Sequence, residues 1–293
     1  MARVAVIGPG AIGGAVASAL APGHDLVICA NRGFDMLAVT RAPGGERKTV
    51  PVRVLTMPSE ATPAEWVLVC VKSHQTPAAA GWLKALVGPH TRVAVLQNGV
   101  EHRAHVAPYL PDGTQVVPVV VAIPAERVGL GEIEMHGGAQ LTVPDDAAAR
   151  DFAALFDGSF IRAATDDDFT TRVWEKLCLN CAGGALSALA LRPDALASSP
   201  EMTALGMRFI AETMAVGRAE GARFAPDFAQ TLVAMQSGPR VGRGNSMYYD
   251  RRDGKPLEWD ARNGVVQRLG AKHGIPTPIS DVVVPILKAL SLS

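Results

Sequence analysis

A tight glycine turn near the start of the chain constrains the fold more than any other feature of the sequence. A short apolar run at residues 4–7 precedes the turn, and an alanine-rich segment at residues 11–20 overlaps its end. The turn consists of six consecutive residues: Gly8, Pro9, Gly10, Ala11, Ile12 and Gly13. The apolar run predicts a buried parallel strand, and the small side chains that follow predict a helix that packs closely on a sheet.

Each glycine of this turn has a separate expected role. Gly8 lets the chain reverse, Gly10 leaves the backbone open to a pyrophosphate, and Gly13 lets the helix approach the strand. The free N–H groups of the first helical turn then face the phosphates. A G-x-G-x-x-G match alone is a weak signal, but here it joins a predicted strand to a helix and leads into a second apolar run at residues 26–30. The sequence therefore predicts a Rossmann-type dinucleotide-binding domain.

The residues after the second strand indicate which dinucleotide binds. NAD-binding domains normally have Asp or Glu there, because a carboxylate accepts hydrogen bonds from the ribose hydroxyls and repels a 2′-phosphate. This chain has Asn31 and Arg32 instead, a neutral donor and a guanidinium suited to phosphate. NADP is therefore favoured over NAD; the alternative is that Arg32 is only a solvated charge.

Polar residues also follow two later predicted strands. Lys72 and Gln75 come after the apolar run at residues 66–71, and Asn98 comes after the run at residues 92–96. The carboxyl ends of parallel strands face the ligand crevice of an open α/β sheet. We therefore expect Lys72 and Gln75 to meet the cofactor and Asn98 to be a site residue. The alternatives are a solvated Lys and a plain Asn-Gly turn.

The pattern of the chain changes near residue 165. Before it, residues 131–136 and 139–143 flank a Gly-Gly pair and predict a β-hairpin. After it, helical stretches recur at residues 169–181, 201–220, 227–236, 257–274 and 282–290. The sequence thus predicts an α/β protein, with a Rossmann-type domain at residues 1–165 and an all-α domain at residues 166–293.

Composition argues against several classes of protein. Formal net charge is zero, with 28 basic and 28 acidic residues, whereas nucleic acids and anionic membranes require a concentrated basic face. There is no uninterrupted apolar stretch of about eighteen residues that could span a membrane. The first 21 residues imitate a signal peptide. The dinucleotide turn explains the glycines and the proline that interrupt its apolar run, so we expect a cytoplasmic protein.

The four cysteines do not form a disulfide framework in a chain of this length. Cys29 and Cys70 lie in apolar runs, and Cys178 and Cys181 form a C-x-x-C pair on a predicted helix. Neither a second pair nor a well-placed His accompanies them. We therefore predict no metal site and favour core packing over redox chemistry.

Two features of the helical half could carry chemistry. Lys176 and Asn180 are four residues apart and share a helix face, with Gly184 one further turn along. A Lys beside a nicotinamide could protonate a carbonyl oxygen as hydride reaches carbon, although spacing alone favours a surface residue. Glu258 is expected in the first turn of its helix, where the helix dipole alone explains an acidic side chain.

Together these motifs resemble the ketopantoate reductase family, whose members reduce 2-dehydropantoate to pantoate with NADPH. The matching residues occur in order over nearly the full chain: the glycine turn, Lys72, Gln75, Asn98, Gly99, Trp174, Glu175, Lys176, Asn180, Cys181, Ser246, Met247, Asp250, Glu258, Asn263 and Gly264.

The resemblance implies a role for each polar residue of the substrate site. Lys176 would be the general acid that protonates the ketone oxygen, and Glu258 would bind the substrate hydroxyl. Asn98 would contact both the nicotinamide ribose and the substrate, while Asn180 and Ser246 would hold the substrate. We expect the Lys176 amine and the Glu258 carboxylate to lie close together.

The resemblance also implies the cofactor contacts and the partners. Arg32 would bind the 2′-phosphate of NADPH, and Lys72 and the backbone near Ala122 would line the cofactor groove. The partners would be a small 2-oxo acid as substrate and, in a homodimer, a second copy of the chain.

One residue departs from the family pattern. Where members commonly have a second Asn after the Asn-Cys pair, this chain has Gly184, which removes an amide donor and is expected to open space on the Lys176 face. The implied function is NADPH-dependent reduction of 2-dehydropantoate to (R)-pantoate. Two alternatives stay open: reduction of a different, bulkier 2-oxo acid, and NADP sensing without turnover.

Overall fold

The computed structural model describes residues 1–42, 44–236 and 244–292. The chain divides into two compact units, one formed by Met1–Gln97 with Glu101–Phe169 and the other by Asn98–Val100 with Thr170–Ser293. The division falls four residues after the expected position, and the short segment Asn98–Val100, which follows the strand ending at Val95, belongs to the second unit. No helix of the described residues is both long enough and apolar enough to cross a membrane.

The first unit contains both strands and helices. In chain order its strands are β1 (Arg3–Ile7), β2 (Asp25–Cys29), β3 (Met36–Arg41), β4 (Arg47–Pro51), β5 (Arg53–Leu55), β6 (Trp66–Val69), β7 (Arg92–Val95), β8 (Gln115–Pro118), β9 (Val120–Ala122), β10 (Ala125–Gly129), β11 (Glu132–Met135), β12 (Gln140–Pro144) and β13 (Arg162–Asp166). Its helices are α1 (Ala11–Leu20), α2 (Ala80–Leu86), α3 (His102–Val106) and α4 (Ala147–Ala154).

A six-stranded parallel sheet confirms the predicted Rossmann-type topology. Its strand order is β5-β2-β1-β6-β7-β8, and β1 pairs in parallel with both β2 and β6. The chain therefore winds first to one side of β1 and then to the other. Ligands of open α/β sheets bind outside the carboxyl ends of the strands at such a reversal, which here lies between β1 and β6.

Alternate residues of β1 explain why its sequence is continuously apolar. Val4 and Val6 pack in one core with residues of α1 and α4, while Ala5 and Ile7 pack in a second core with residues of α2 and α3. Because successive side chains of a strand point to opposite faces, a sheet covered on both faces needs apolar residues at every position.

The predicted hairpin between residues 131–136 and 139–143 is wrong. β11 pairs with β10 and β3 in a four-stranded sheet that also holds β4, whereas β12 pairs with β9 and β13 in a three-stranded sheet. The turn of the actual hairpin contains Gly131, whose φ of 72° is readily adopted only by glycine. Gly137 and Gly138 instead connect two different sheets.

The second unit is helical, as predicted. Its helices are α5 (Phe169–Leu179), which starts at the boundary, α6 (Ala185–Ala190), α7 (Pro200–Ala219), α8 (Phe228–Gln236), α9 (Ser246–Arg252), α10 (Val265–His273) and α11 (Pro278–Leu292). A π-helical turn, Asn180–Gly184, joins α5 to α6, and a second one, Asp260–Gly264, leads into α10. Such turns are rare and occur often at functional sites.

The helix that begins at Phe169 continues further than the sequence indicated. It was expected to end near residue 181, before two glycines of low helix propensity. Gly183 and Gly184 are buried within the π-helical turn, and the helix resumes as α6. Packing against the rest of the unit therefore outweighs the local preference of these glycines.

A buried carboxylate joins α7 to the start of α11. Glu212 is 8 % exposed and accepts hydrogen bonds from the backbone N–H groups of Ile279 at 2.8 Å and Ser280 at 3.0 Å. The first N–H groups of a helix have no partner within the helix, and its N-terminal dipole favours a negative charge. Glu212 thus satisfies donors of α11 from a neighbouring helix.

We expect Glu212→Ala to lower the free energy of unfolding by about 2–3 kcal/mol, because buried N–H groups of α11 lose a charged acceptor. The free energy of unfolding is measured by urea denaturation, with circular dichroism as the signal. Glu201→Ala is the matched control, since this carboxylate lies on the same helix but is exposed. Equal destabilisation by the two substitutions would contradict the anchoring role of Glu212.

Candidate active site

Two glycines of the amino-terminal turn are required by the fold itself. Gly8 has a φ of 90°, and a Cβ there would lie 2.6 Å from Cγ1 of Val71. A Cβ on Gly13 would overlap the carbonyl oxygen of Gly8 and lie 3.0 Å from Cβ of Cys70. Because glycines occupy these two positions, α1 and the residues that follow β6 can pack tightly against the turn.

Gly10 differs from both of these glycines. Its φ is −73°, a value that any residue adopts, and apart from Gly10 itself and its two chain neighbours no described atom lies within 4 Å of its Cβ position. Gly10 is also the residue before α1, and no side chain caps that helix. The fold therefore does not explain this glycine, whereas a phosphate group at the helix N-terminus does.

Three other predicted cofactor residues of the first unit follow the strand ends and differ in their exposure. Asn31 and Arg32 are exposed just beyond β2, and Lys72 is half-buried and follows Val71, whose backbone nitrogen lies 3.1 Å from the Cβ position of Gly8. Lys72 is therefore next to the glycine turn, at the reversal of strand order.

Neither Gln75 nor Ala122 belongs to the glycine turn or to a strand that flanks it. The Oε1 atom of Gln75 accepts a hydrogen bond from the backbone N–H of Lys72 at 3.2 Å, so this side chain shapes the loop after β6. Ala122 is exposed at the end of β9, in the three-stranded sheet. Pro9, Ala11 and Ile12 are half-buried within the turn itself.

In the second unit, Asn98 connects two residues that are distant in sequence. Its Nδ2 group donates to Oε2 of Glu258 at 3.0 Å, and its Oδ1 atom accepts from Nδ2 of Asn180 at 3.2 Å. The neighbouring Gly99 has a φ of 104°, and a Cβ there would lie 2.7 Å from the carbonyl oxygen of Ala261. The glycine thus allows this segment to approach the second π-helical turn.

Arg262 extends this chain of hydrogen bonds and was missed by the sequence analysis. Its Nη2 group donates to Oε2 of Glu258 at 3.2 Å and to Oγ of Ser246 at 2.7 Å. Glu258 is 4 % exposed and Arg262 is 1 % exposed. The i, i+4 spacing of a Glu and an Arg was the available signal, but this spacing is usually that of a solvated pair.

The result is one hydrogen-bonded network that we call the polar chain. It consists of Ser246, Arg262, Glu258, Asn98 and Asn180, joined in that order. Four of its members are substrate-site residues inferred from the sequence, and they come from segments separated by up to 160 positions. Their convergence is the main observation about this site.

Lys176 and Glu258 occupy positions that partly differ from expectation. Lys176 is half-buried on α5, one helical turn before Asn180. Glu258 lies just before its helix rather than in the first turn, because the helix begins only after it and continues as the π-helical turn Asp260–Gly264. Glu258 still lies at the helix N-terminus, where the dipole favours a carboxylate, and Asn98 and Arg262 donate hydrogen bonds to it as well.

The expectation that Gly184 opens space is wrong. A Cβ on this buried glycine would lie 3.2 Å from Nη1 of Arg262 and 3.8 Å from Sδ of Met247. The guanidinium of Arg262 therefore occupies the volume beside residue 184. Open space lies one residue earlier: apart from adjacent residues and the backbone of its own helix, no described atom comes within 4 Å of a Cβ built on Gly183.

The cysteines are buried or half-buried free thiols. Burial raises the pKa of Cys29 and of Cys181 to about 12, so both stay protonated at neutral pH. The Sγ atom of Cys181 donates to the carbonyl oxygen of Arg262 at 3.1 Å. The C-x-x-C pair therefore packs within the helical unit, as favoured from the sequence.

We expect Gly10→Ala to keep the melting temperature of the protein but to weaken dinucleotide binding by at least about tenfold, because the methyl group enters only the space of the pyrophosphate. Gly13→Ala is the contrasting variant, and it should lower the melting temperature. Thermal denaturation and fluorescence titration with NADPH measure the two effects. Unchanged NADPH affinity in Gly10→Ala would contradict this assignment.

Comparison with known proteins supports a common origin over the whole chain. The family model for ketopantoate reductase PanE/ApbA matches residues 4–147, and the model for the C terminal part of the same family matches residues 168–291. The sequence is similar to a 2-dehydropantoate 2-reductase of Caulobacter vibrioides, with 43 % identity over 100 % of both chains. It is also similar to the enzyme of that name from Mycobacterium tuberculosis, with 40 % identity over 98 % of this chain and 97 % of the other.

A solved structure agrees with this relationship. The dimeric ketopantoate reductase from Staphylococcus aureus has a TM-score of 0.88 to this chain at 26 % sequence identity, covering 99 % of this chain and 98 % of the other. The matches by sequence, family model and fold all extend over both units. The chain therefore belongs to the ketopantoate reductase family.

Proposed function

We propose that this protein reduces 2-dehydropantoate to (R)-pantoate with NADPH, the reaction for which its relatives from Caulobacter vibrioides and Mycobacterium tuberculosis are named. The observation that carries the proposal is the polar chain. It gathers Asn98, Asn180, Ser246 and Glu258, which the family resemblance assigns to the substrate. A protein that only sensed NADP would have no use for four polar side chains joined around the buried Glu258 carboxylate.

The glycine turn fits the proposed cofactor. Gly10 leaves space at the N-terminus of α1, where backbone N–H groups would hold the pyrophosphate. Arg32 and Asn31 would hold the 2′-phosphate, and Lys72 would lie along the groove. When bound, NADPH supplies the hydride that reaches the ketone carbon.

Lys176 would donate the proton that the ketone oxygen requires. An ammonium group stabilises the negative charge that develops on this oxygen as hydride arrives, and then transfers a proton to it. Glu258 is a poor candidate for this proton transfer, since its Oε2 atom accepts hydrogen bonds from both Arg262 and Asn98, as an ionised carboxylate does. Its role would be to bind the substrate hydroxyl. The approach of Lys176 to Glu258 stays a prediction.

We also propose a cytoplasmic location and a homodimer. The free thiols Cys29, Cys70, Cys178 and Cys181 fit a reducing compartment. The dimer is proposed by analogy with the Staphylococcus aureus structure, which is described as dimeric.

The first test is enzymatic. Lys176→Ala should lower kcat by at least about a hundredfold, a typical contribution of general acid catalysis, with little change in NADPH affinity. Stopped-flow absorbance of NADPH with 2-dehydropantoate measures the rate. Lys272→Ala is the control, because this Lys is exposed and pairs with Glu220. Wild-type turnover in Lys176→Ala would remove this residue from the mechanism.

Cofactor preference gives a second test. We expect Arg32→Ala to raise the Kd for NADPH by about 10- to 100-fold, because a charge-assisted hydrogen bond to the 2′-phosphate is lost. The Kd for NADH, which lacks this phosphate, should change much less. Arg53→Ala, which removes an exposed Arg at the start of β5, should alter neither value. Parallel losses of NADPH and NADH affinity would contradict the role of Arg32.

A panel of 2-oxo acids separates the proposal from its alternatives. If a bulkier 2-oxo acid is reduced faster than 2-dehydropantoate, the proposed substrate is wrong but the proposed reaction class still holds. The filled space beside Gly184 removes the original reason to favour such a substrate. Tight NADPH binding without oxidation by any acid of the panel would support a sensing role instead.

A further inference from the structure

Arg262 stands out because it is a charged side chain of the helical unit that is almost completely buried. It is 1 % exposed and is among the largest fully buried side chains of the described residues. Removing a guanidinium from water costs several kcal/mol unless close partners compensate for it. The partners that the structure shows are those of Nη2, while the buried Nε atom has no hydrogen-bond partner among the described residues.

The partners of Arg262 are themselves substrate-site residues. One nitrogen, Nη2, donates to both the Glu258 carboxylate and the Ser246 hydroxyl, at 3.2 Å and 2.7 Å. These two acceptors lie on different elements, one just before the second π-helical turn and the other at the first residue of α9. A single guanidinium thus fixes the positions of both groups relative to each other.

The backbone that carries Arg262 is held by the other π-helical turn. Sγ of Cys181 donates to the carbonyl oxygen of Arg262 at 3.1 Å, and Nδ2 of Asn263 donates to the carbonyl oxygen of Cys181 at 3.3 Å. The turns Asn180–Gly184 and Asp260–Gly264 are therefore directly joined. This places the guanidinium beside the segment that contains Asn180 and Gly184.

Gly184 completes the arrangement. A Cβ at this position would lie only 3.2 Å from Nη1 of Arg262, and Met247 lies on another side of it at 3.8 Å. A longer side chain, such as the Asn that the family pattern has there, would need the volume that the guanidinium fills. The hydrogen-bond donors beside residue 184 therefore belong to the guanidinium of Arg262, on the other π-helical turn, and not to an amide at position 184.

We propose that Arg262 is a positioning residue of the substrate site, which holds the Glu258 carboxylate and the Ser246 hydroxyl for the 2-oxo acid, and that residue 184 is glycine to accommodate it. The inference rests on the proposed function, since that function assigns Glu258 and Ser246 to the substrate. It predicts that residues 184 and 262 are coupled. Substrate binding should depend on the pair, while NADPH binding should not.

The test uses the full-length protein with Arg262→Leu, Arg262→Lys, Gly184→Asn and the double variant Gly184→Asn/Arg262→Leu. We expect Arg262→Leu to raise the KM for 2-dehydropantoate at least about tenfold, with a smaller change in kcat and an unchanged Kd for NADPH. Arg262→Lys should recover part of this loss, because an ammonium can still donate to one acceptor. Gly184→Asn should also raise KM, since its amide and the guanidinium compete for one volume.

The double variant measures the coupling. In it the Asn amide has the space of the removed guanidinium, so its KM should be lower than the product of the two single effects predicts, by about tenfold. Arg268→Leu is the matched control, because it removes an exposed Arg on α10 that pairs with Asp260. It should leave kcat, KM and NADPH affinity unchanged. Melting temperatures of all variants report folding.

Several results would overturn the inference. Wild-type KM in Arg262→Leu, wild-type KM in Gly184→Asn, or strictly multiplicative effects in the double variant would each do so. If Arg262→Leu does not fold, Gly184→Asn and Arg262→Lys, both of which keep a cation at position 262, decide the matter. A wild-type protein that does not reduce 2-dehydropantoate defeats the proposed function instead, and the variants are then compared with the 2-oxo acid that it does reduce. If it reduces none, both proposals fall.

Discussion

A buried ion pair is the interaction around which the polar side chains of the helical unit are arranged. Glu258 and Arg262 are both almost fully buried, and neither charge could stay there alone. Each partner beyond the pair is a polar side chain from another segment of this unit: Ser246 from α9 and Asn98 from the segment Asn98–Val100. The need to satisfy two buried charges therefore brings Ser246, Asn98 and Asn180 into one network with Glu258 and Arg262.

The dinucleotide side of the molecule is governed by a different constraint, the close approach of backbone segments. Gly8 and Gly13 have no room for a Cβ, because Val71, Cys70 and the turn itself lie against them. Gly10 has such room within the protein, so packing does not require its missing side chain, and we propose that a bound pyrophosphate does. Gly10 and Gly13 are only three positions apart, yet packing requires a glycine at position 13 and not at position 10.

The errors of the sequence analysis share one cause, which is that local patterns do not specify distant partners. Gly137 and Gly138 resembled a hairpin turn, yet the flanking strands pair with β9, β10, β3 and β13 in two different sheets. Gly184 was expected to leave open space because the residue that occupies the adjacent volume, Arg262, is 78 positions away in the sequence. Both outcomes depend on contacts between segments that composition and spacing do not encode.

The sequence by itself determined the parallel sheet, the glycine turn at its centre, the change to helices in the second half, and the types of residue available for chemistry. Each of these follows from short-range periodicity, from the steric freedom of glycine, or from motifs confined to a few adjacent positions. Only the tertiary structure decided that Asn98, Asn180, Ser246 and Glu258 share one network through Arg262. Burial and hydrogen-bond pairing are properties of segments that meet in space, and no single segment carries them.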